Sequence, residues 1–89
     1  MKEMLLDVKT VGDENISLCC RYFVLVGEMQ AGVFSCESYG VKIENAETGE
    51  SASFPDLTLS AEKIDKLMEC LIRNRVTPAG LEDVIRDWQ

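Results

Sequence analysis

The last thirty residues constrain this chain more than any other stretch, because they spell two amphipathic helices in immediate succession. After Ser60, a good N-cap, apolar side chains recur at Ile64, Leu67, Met68 and Leu71, the spacing that lines one face of an α-helix. Asn74 stops it, since an Asn just past the last periodic residue tolerates the left-handed conformation in which helices end. Thr77 and Pro78 start a second helix. Leu81, Val84, Ile85 and Trp88 repeat the one-sided pattern, so two apolar stripes must be covered by something else in the chain. The second helix, roughly three turns long, is too short to persist alone in water. Burying side chains of this size is worth about 1.5 to 3 kcal/mol each before entropy is counted, so docking is what makes it a helix.

The cover has to come from upstream, and the upstream pattern is that of strands. Residues 2–11 alternate, with Met4, Leu6 and Val8 on one side, Glu3, Asp7 and Lys9 on the other, and Leu5 as the apolar exception. Gly12, Asp13, Glu14 and Asn15 form a turn, and residues 16–26 read as a second strand rich in β-branched and aromatic residues. There Ile16, Leu18, Cys20, Tyr22, Val24 and Val26 share one face, and Ser17, Cys19, Arg21, Phe23 and Leu25 the other. Residues 22–26 are apolar on both faces, which suits the middle of a sheet. Residues 27–32 read as a loop and 33–45 as an extended region with a bulge or bend at Gly40, either one kinked strand or two short ones. Residues 46–49 have turn composition, and 50–54 return as a short final strand ended by Pro55 and Asp56. Strands followed by helices give an α+β domain. The expectation is an antiparallel meander of four to five strands over residues 1–55, with two C-terminal helices over 59–89 packed on one face, all in a single domain spanning 1–89.

Sixteen acidic against nine basic residues leave a net charge of -7. Residues 1–59 hold ten of the acids and four of the bases. Such a surface repels phosphate backbones and anionic lipid, so neither nucleic acid nor membrane is the expected partner. The two successive helices invite a helix-turn-helix reading, but residues 78–89 carry Arg86 alone against Glu82, Asp83 and Asp87, and phosphate contacts need bases on the docking face. Met4, Leu5 and Leu6 are followed at once by Asp7 and Lys9, too soon for a secretory leader. A cytoplasmic address follows as the expectation, with Cys19, Cys20, Cys36 and Cys70 reduced.

The residues that usually carry chemistry are missing. There is no histidine and no Cys-x-x-Cys pair, so the usual zinc spacings are absent, and adjacent Cys19 and Cys20 point to opposite faces of a strand. Cys70, beside the apolar stripe of the first helix, reads as a small buried hydrophobe. A serine or cysteine nucleophile would have no imidazole as its base, and Gly27 and Gly32 flank a loop without the lysine of a phosphate site. No enzyme, cofactor or metal is expected.

The stretch Tyr39, Gly40, Val41, Lys42 and Ile43, then Leu67, Val76, Thr77, Pro78, Leu81, Asp83, Val84 and Ile85, resembles a small uncharacterised family of Firmicutes proteins, a domain of unknown function, over roughly the last fifty residues. The resemblance implies a cytoplasmic bacterial protein and brings no catalytic residue with it. What the residues themselves point to is a non-catalytic protein-interaction or self-associating module, binding a protein partner or forming a homo-oligomer such as a dimer. Two helices cover only one face of a sheet, and Leu5, Phe23 and Leu25 fall opposite Leu6, Cys20 and Val24, which makes those three the candidate interface. The alternative is a transcription regulator, DNA-binding through a strip assembled from Lys2, Lys9, Arg21, Lys42, Arg73 and Arg75, or thiol-sensing through a cysteine such as Cys19 or Cys36.

Overall fold

A computed structural model describes residues 2–12 and 17–88. Four strands come first, β1 (Lys2–Gly12), β2 (Ser17–Ala31), β3 (Phe34–Asn45) and β4 (Ser51–Thr58), followed by helices α1 (Ala61–Arg73) and α2 (Pro78–Trp88). The strands form one antiparallel sheet in the order β1-β2-β3-β4, so the fold is the expected α+β meander with a C-terminal helix pair. The turn expected at residues 13–15 and Ile16 lie outside the described residues.

Both helices cover the same face. Tyr22 lies opposite Ile43 and Val24 opposite Val41, so these four side chains stand on one side of the central strands. With Cys20 they meet Ile64, Leu67, Met68 and Leu71 of α1 and Leu81 and Ile85 of α2 in a single core. Every apolar position assigned to α1 from its spacing is buried, whereas in α2 Val84 and Trp88 are only partly so. The solvent side of the pair carries Glu62–Lys66, Glu69–Arg73 and Glu82–Arg86 ion pairs one turn apart. The Tyr22 hydroxyl, at the centre of the core, donates to the Val76 carbonyl at 2.9 Å, tying the middle of the sheet to the turn between the helices.

That turn differs from its expected form. Ser60 caps α1 by accepting from the Lys63 backbone N–H, as its residue type suggests. At the other end Asn74 keeps φ -88°, and Arg75 takes the left-handed conformation, φ 49°. Arg75 N–H bonds to the Ile72 carbonyl and Val76 N–H to that of Leu71. This is the paired closure in which the residue after the cap must be left-handed. The helix does stop at Asn74, which is its cap, but the left-handed residue is Arg75, and Val76 after it packs partly buried against the core. Cys70, expected to be buried, is exposed. It falls outside the arc set by residues 64, 67, 68 and 71.

Three strand expectations are also corrected. The register of β1 slips between Leu5 and Asp7, so Met4 stands opposite Val24 on the helix side but Val8 stands opposite Arg21 on the other. Met4, Leu6 and Val8 therefore do not share a face, since one extra residue in a strand inverts every side chain after it. Residues 27–32 are not a loop: β2 runs through them to Ala31 and turns only at Gly32, φ 68°. Finally, β4 continues past Pro55 and Asp56 to Thr58. An edge strand accommodates a proline, and Asp56 at φ 56° restores the pairing of Tyr39 with Thr58. Gly40 does mark an irregularity, in the pairing of β3 with β4, while β3 remains one strand. A Cβ at Gly40 would run into the Phe54 carbonyl and lie 2.6 Å from Pro55 Cα, so the two backbones cross there with no room for a side chain.

Candidate interaction surface

The sheet face turned away from the helices carries the three residues singled out from sequence. Leu5 and Phe23 are direct cross-strand partners and Leu25 is two residues along β2, so all three share this outer face. They are not equally available. Leu5 is half exposed, whereas Leu25 is only 4% exposed while lying outside the helix-side core. Lys42 stands over the Phe23 ring, its ammonium 5.4 Å from the centroid, and also reaches Glu3 at 2.9 Å. Arg21 and Glu44, cross-strand neighbours on the same face, pair at 2.8 Å. Further along, the buried Ser38 hydroxyl donates to Asp56. The described charges of this face are thus three acids, Glu3, Glu44 and Asp56, against two bases, and each has a partner.

A further exposed apolar surface, at Met29, Val33 and Phe34, lies on residues expected to divide between a loop, 27–32, and an extended region, 33–45. In the described residues β1 pairs with β2 no further than Lys2 opposite Val26, and β4 pairs with β3 no further than Thr58 opposite Tyr39. β2 and β3 go on together for five more pairs, from Gly27 opposite Ser38 to Ala31 opposite Phe34. The result is a two-stranded ribbon projecting from the end of the sheet in a molecule 54 Å long and 23 Å wide. Its pairing has no slip, so strict alternation sorts its side chains. Met29, Cys36 and Phe34 continue the outer face, and Glu28, Gln30, Ser35 and Glu37 stand on the helix side. Phe34 is 72% exposed and Val33, at the tip, 93%.

Beneath the ribbon the polar side opens into a concavity of about 740 Å³ bordered by Lys2, Met4, Val26, Glu28, Glu37 and Tyr39. The Tyr39 hydroxyl donates to Glu37 at 2.9 Å. That bond, with smaller contributions from desolvation and nearby carboxylates, pushes the phenol pKa up. Glu28 and Glu37 are directly opposed, a like-charge juxtaposition that cross-strand pairing disfavours. The signal that would have found the ribbon is the run Glu28, Met29, Gln30 and Ala31, which contains no turn former and so cannot by itself reverse the chain.

The bases named as a possible strip do not converge. Arg21 and Lys42 face outward from the sheet beside carboxylates, Lys9 pairs with Asp7 at 3.5 Å on the edge strand, and Arg73 pairs with Glu69 on α1. The four thiols are free. Cys20 lies in the core, where burial first and Cys19 second raise its pKa. Cys36 and Cys70 are exposed, one on the ribbon and one on α1. Among the described residues no three His, Cys, Asp or Glu side chains gather as a metal site would require, and no helix is long and apolar enough to cross a membrane.

The profile of a family of unknown function, DUF6514, matches residues 1–89. The chain belongs to that family. The match takes in the first half of the chain as well as the segment from Tyr39 to Ile85 on which a likeness to an uncharacterised family was already visible. No curated protein and no solved structure matches this DUF6514 chain, so what it does has to be argued from its own surface.

Proposed function

We propose that this DUF6514 protein is a non-catalytic interaction module of the bacterial cytoplasm, and that it docks a protein through the outer sheet face and the projecting ribbon. One observation carries the reading: Met29, Val33 and Phe34 stand exposed on the ribbon while its other side is polar. A two-stranded ribbon alone is marginal in water, and a contiguous exposed apolar patch on a small domain marks a contact site more often than it marks nothing. Leu5 and Val8, half exposed on the edge strand, form a second apolar area on the same outer face, separated from the ribbon by Glu3, Ser38 and Asp56.

Affinity capture from the protein's own cell extract tests this. The wild-type chain should recover a protein that the Phe34→Ser variant recovers at least about tenfold less well, with a Cys70→Ser chain, altered on the helix layer, behaving like wild type. Equal recovery by wild type and Phe34→Ser would sink the reading.

A further inference from the structure

We infer that the concavity beneath the ribbon takes a basic, extended segment of a partner protein, with an arginine seated between Glu28 and Glu37. The site lies on the other side of the ribbon from Met29 and Phe34, so the inference does not rest on the docking role proposed above. Charge complementarity names the occupant. Glu28 and Glu37 are direct cross-strand partners, which sets their Cα atoms about 5 Å apart with both side chains on one face. Like charges so placed weaken the pairing of a ribbon that already projects from the sheet, and a cation between them removes that cost. Glu37 accepts from the Tyr39 hydroxyl, and neither glutamate takes part in the ion pairs of the described residues. After the Glu37 bond, desolvation and the Glu37 charge, Asp65 of α1 is the next cause of the raised Tyr39 pKa, so a third carboxylate is felt at the same hydroxyl. Against these acids the border holds one base, Lys2.

The remaining border shows what should flank the cation. Met4, half exposed, and Val26 and Tyr39 stand on the helix-side face of three adjacent strands and give the concavity an apolar floor. An arginine lays its methylene stem along such a floor while its guanidinium reaches the acids. Its planar fork donates to two carboxylates at once, where a lysine ammonium acts as a point charge. The volume of about 740 Å³ falls within the range that accommodates short ligands, so apolar residues on either side of the arginine can rest on Met4 and Val26.

The test is an amide NMR titration of the isotopically labelled full chain with the acetylated, amidated peptide Leu-Arg-Leu-Arg-Leu. Physiological salt is used, because it screens long-range attraction between surface charges. The expected result is saturable binding that moves the amides of residues 26–28 and 37–39 and leaves those of α2 in place. Glu28→Gln with Glu37→Gln should weaken binding at least about tenfold. Glu47→Gln with Glu50→Gln, the same change in net charge near the β3–β4 turn, should alter it less than about twofold. Both pairs should keep the wild-type thermal midpoint, which separates lost binding from lost fold. Met4→Ser should weaken binding at least about threefold, and Phe34→Ser should leave it unchanged. Equal losses from the two glutamine pairs overturn the inference, since they mean a general attraction to an acidic chain. Undiminished binding by Met4→Ser, or of the peptide Leu-Gln-Leu-Gln-Leu to the wild type, overturns it as well. A loss in Phe34→Ser moves the peptide to the outer face, which sinks this site and supports the docking role. No binding up to about 1 mM peptide, an affinity of only about 4 kcal/mol, sinks this site and leaves the docking role to the extract capture.

Discussion

At the scale of single residues, Tyr22 joins the two layers. Its ring is fully buried and its hydroxyl is bonded to the Val76 carbonyl, so Tyr22→Phe strands a backbone acceptor and should cost about 1 to 2 kcal/mol in urea unfolding at neutral pH. Burial, then the Cys20 thiol, pushes the phenol up to about 12, with Asp7 adding to the rise and Arg75 opposing it. An unfolded tyrosine ionises near 10. Between those values the folded chain holds the extra proton, so the contribution is complete below pH 10 and is lost as pH rises toward 12, by up to roughly 1.4 kcal/mol per pH unit. The Phe variant should show a shallower alkaline decline. Gly40 is the second such position. A methyl there meets only backbone atoms of Phe54 and Pro55, which cannot step aside, so Gly40→Ala should destabilise by about 3 kcal/mol or more, read as a lowered urea midpoint. The glycine's role as a point of irregularity was visible in sequence. The strand that crosses it was not, because nothing local to Gly40 names Pro55 as its neighbour. Arg75 makes the same point in reverse: Asn is the better left-handed residue by type, yet the burial of Val76 decides which position turns.

At the scale of elements, the helices were the most legible and the ribbon the least. The stripes of α1 and α2 repeat over several turns, and each repeat reinforces the same face, whereas a strand's face depends on parity and one bulge reverses it. That is why Val8 was assigned to the wrong group while Ile64, Leu67, Met68 and Leu71 were assigned correctly. The glycines at 27 and 32 look like the ends of a loop, but only Gly32 turns the chain. At Gly27 the strand runs straight on, and a Cβ there would stand 3.2 Å from Ser38 Oγ. Since the ribbon adds nothing to the helix-side core, replacing residues 29–36 by a two-residue Asn-Gly turn should move the thermal midpoint by no more than a few degrees. Differential scanning calorimetry checks this, and loss of the cooperative transition would show that the ribbon supports the sheet. Hydrogen exchange offers a parallel measure, with the amides of residues 28–36 exchanging well before those of residues 20–25.

At the scale of the whole molecule, stability depends on one seam between two layers. Leu81 is fully buried where α2 meets the core, so Leu81→Ala should cost about 2 to 5 kcal/mol. That is a large share of what a domain of this size has in total, and urea unfolding of the variant would show it as a fall in midpoint at unchanged slope. The candidate interface was legible only in part. Leu5, Phe23 and Leu25 do share the outer face, but Lys42 stands over Phe23 and Leu25 is already covered. The exposed apolar surface moved outward to Met29, Val33 and Phe34, residues that no periodic pattern joined to it.

By itself the sequence determined the class and the order of elements, because hydrophobic periodicity is a local property and the helix stripes must find a sheet to cover them. It also determined the acidic balance and the absence of imidazole. Tertiary structure decided the register of β1, the passage of β4 past its proline, the left-handed turn at Arg75 and the reach of the ribbon beyond the sheet. Each of these is settled by which backbone lies alongside which, and contacts between residues distant in the chain leave no repeating trace in the order of amino acids.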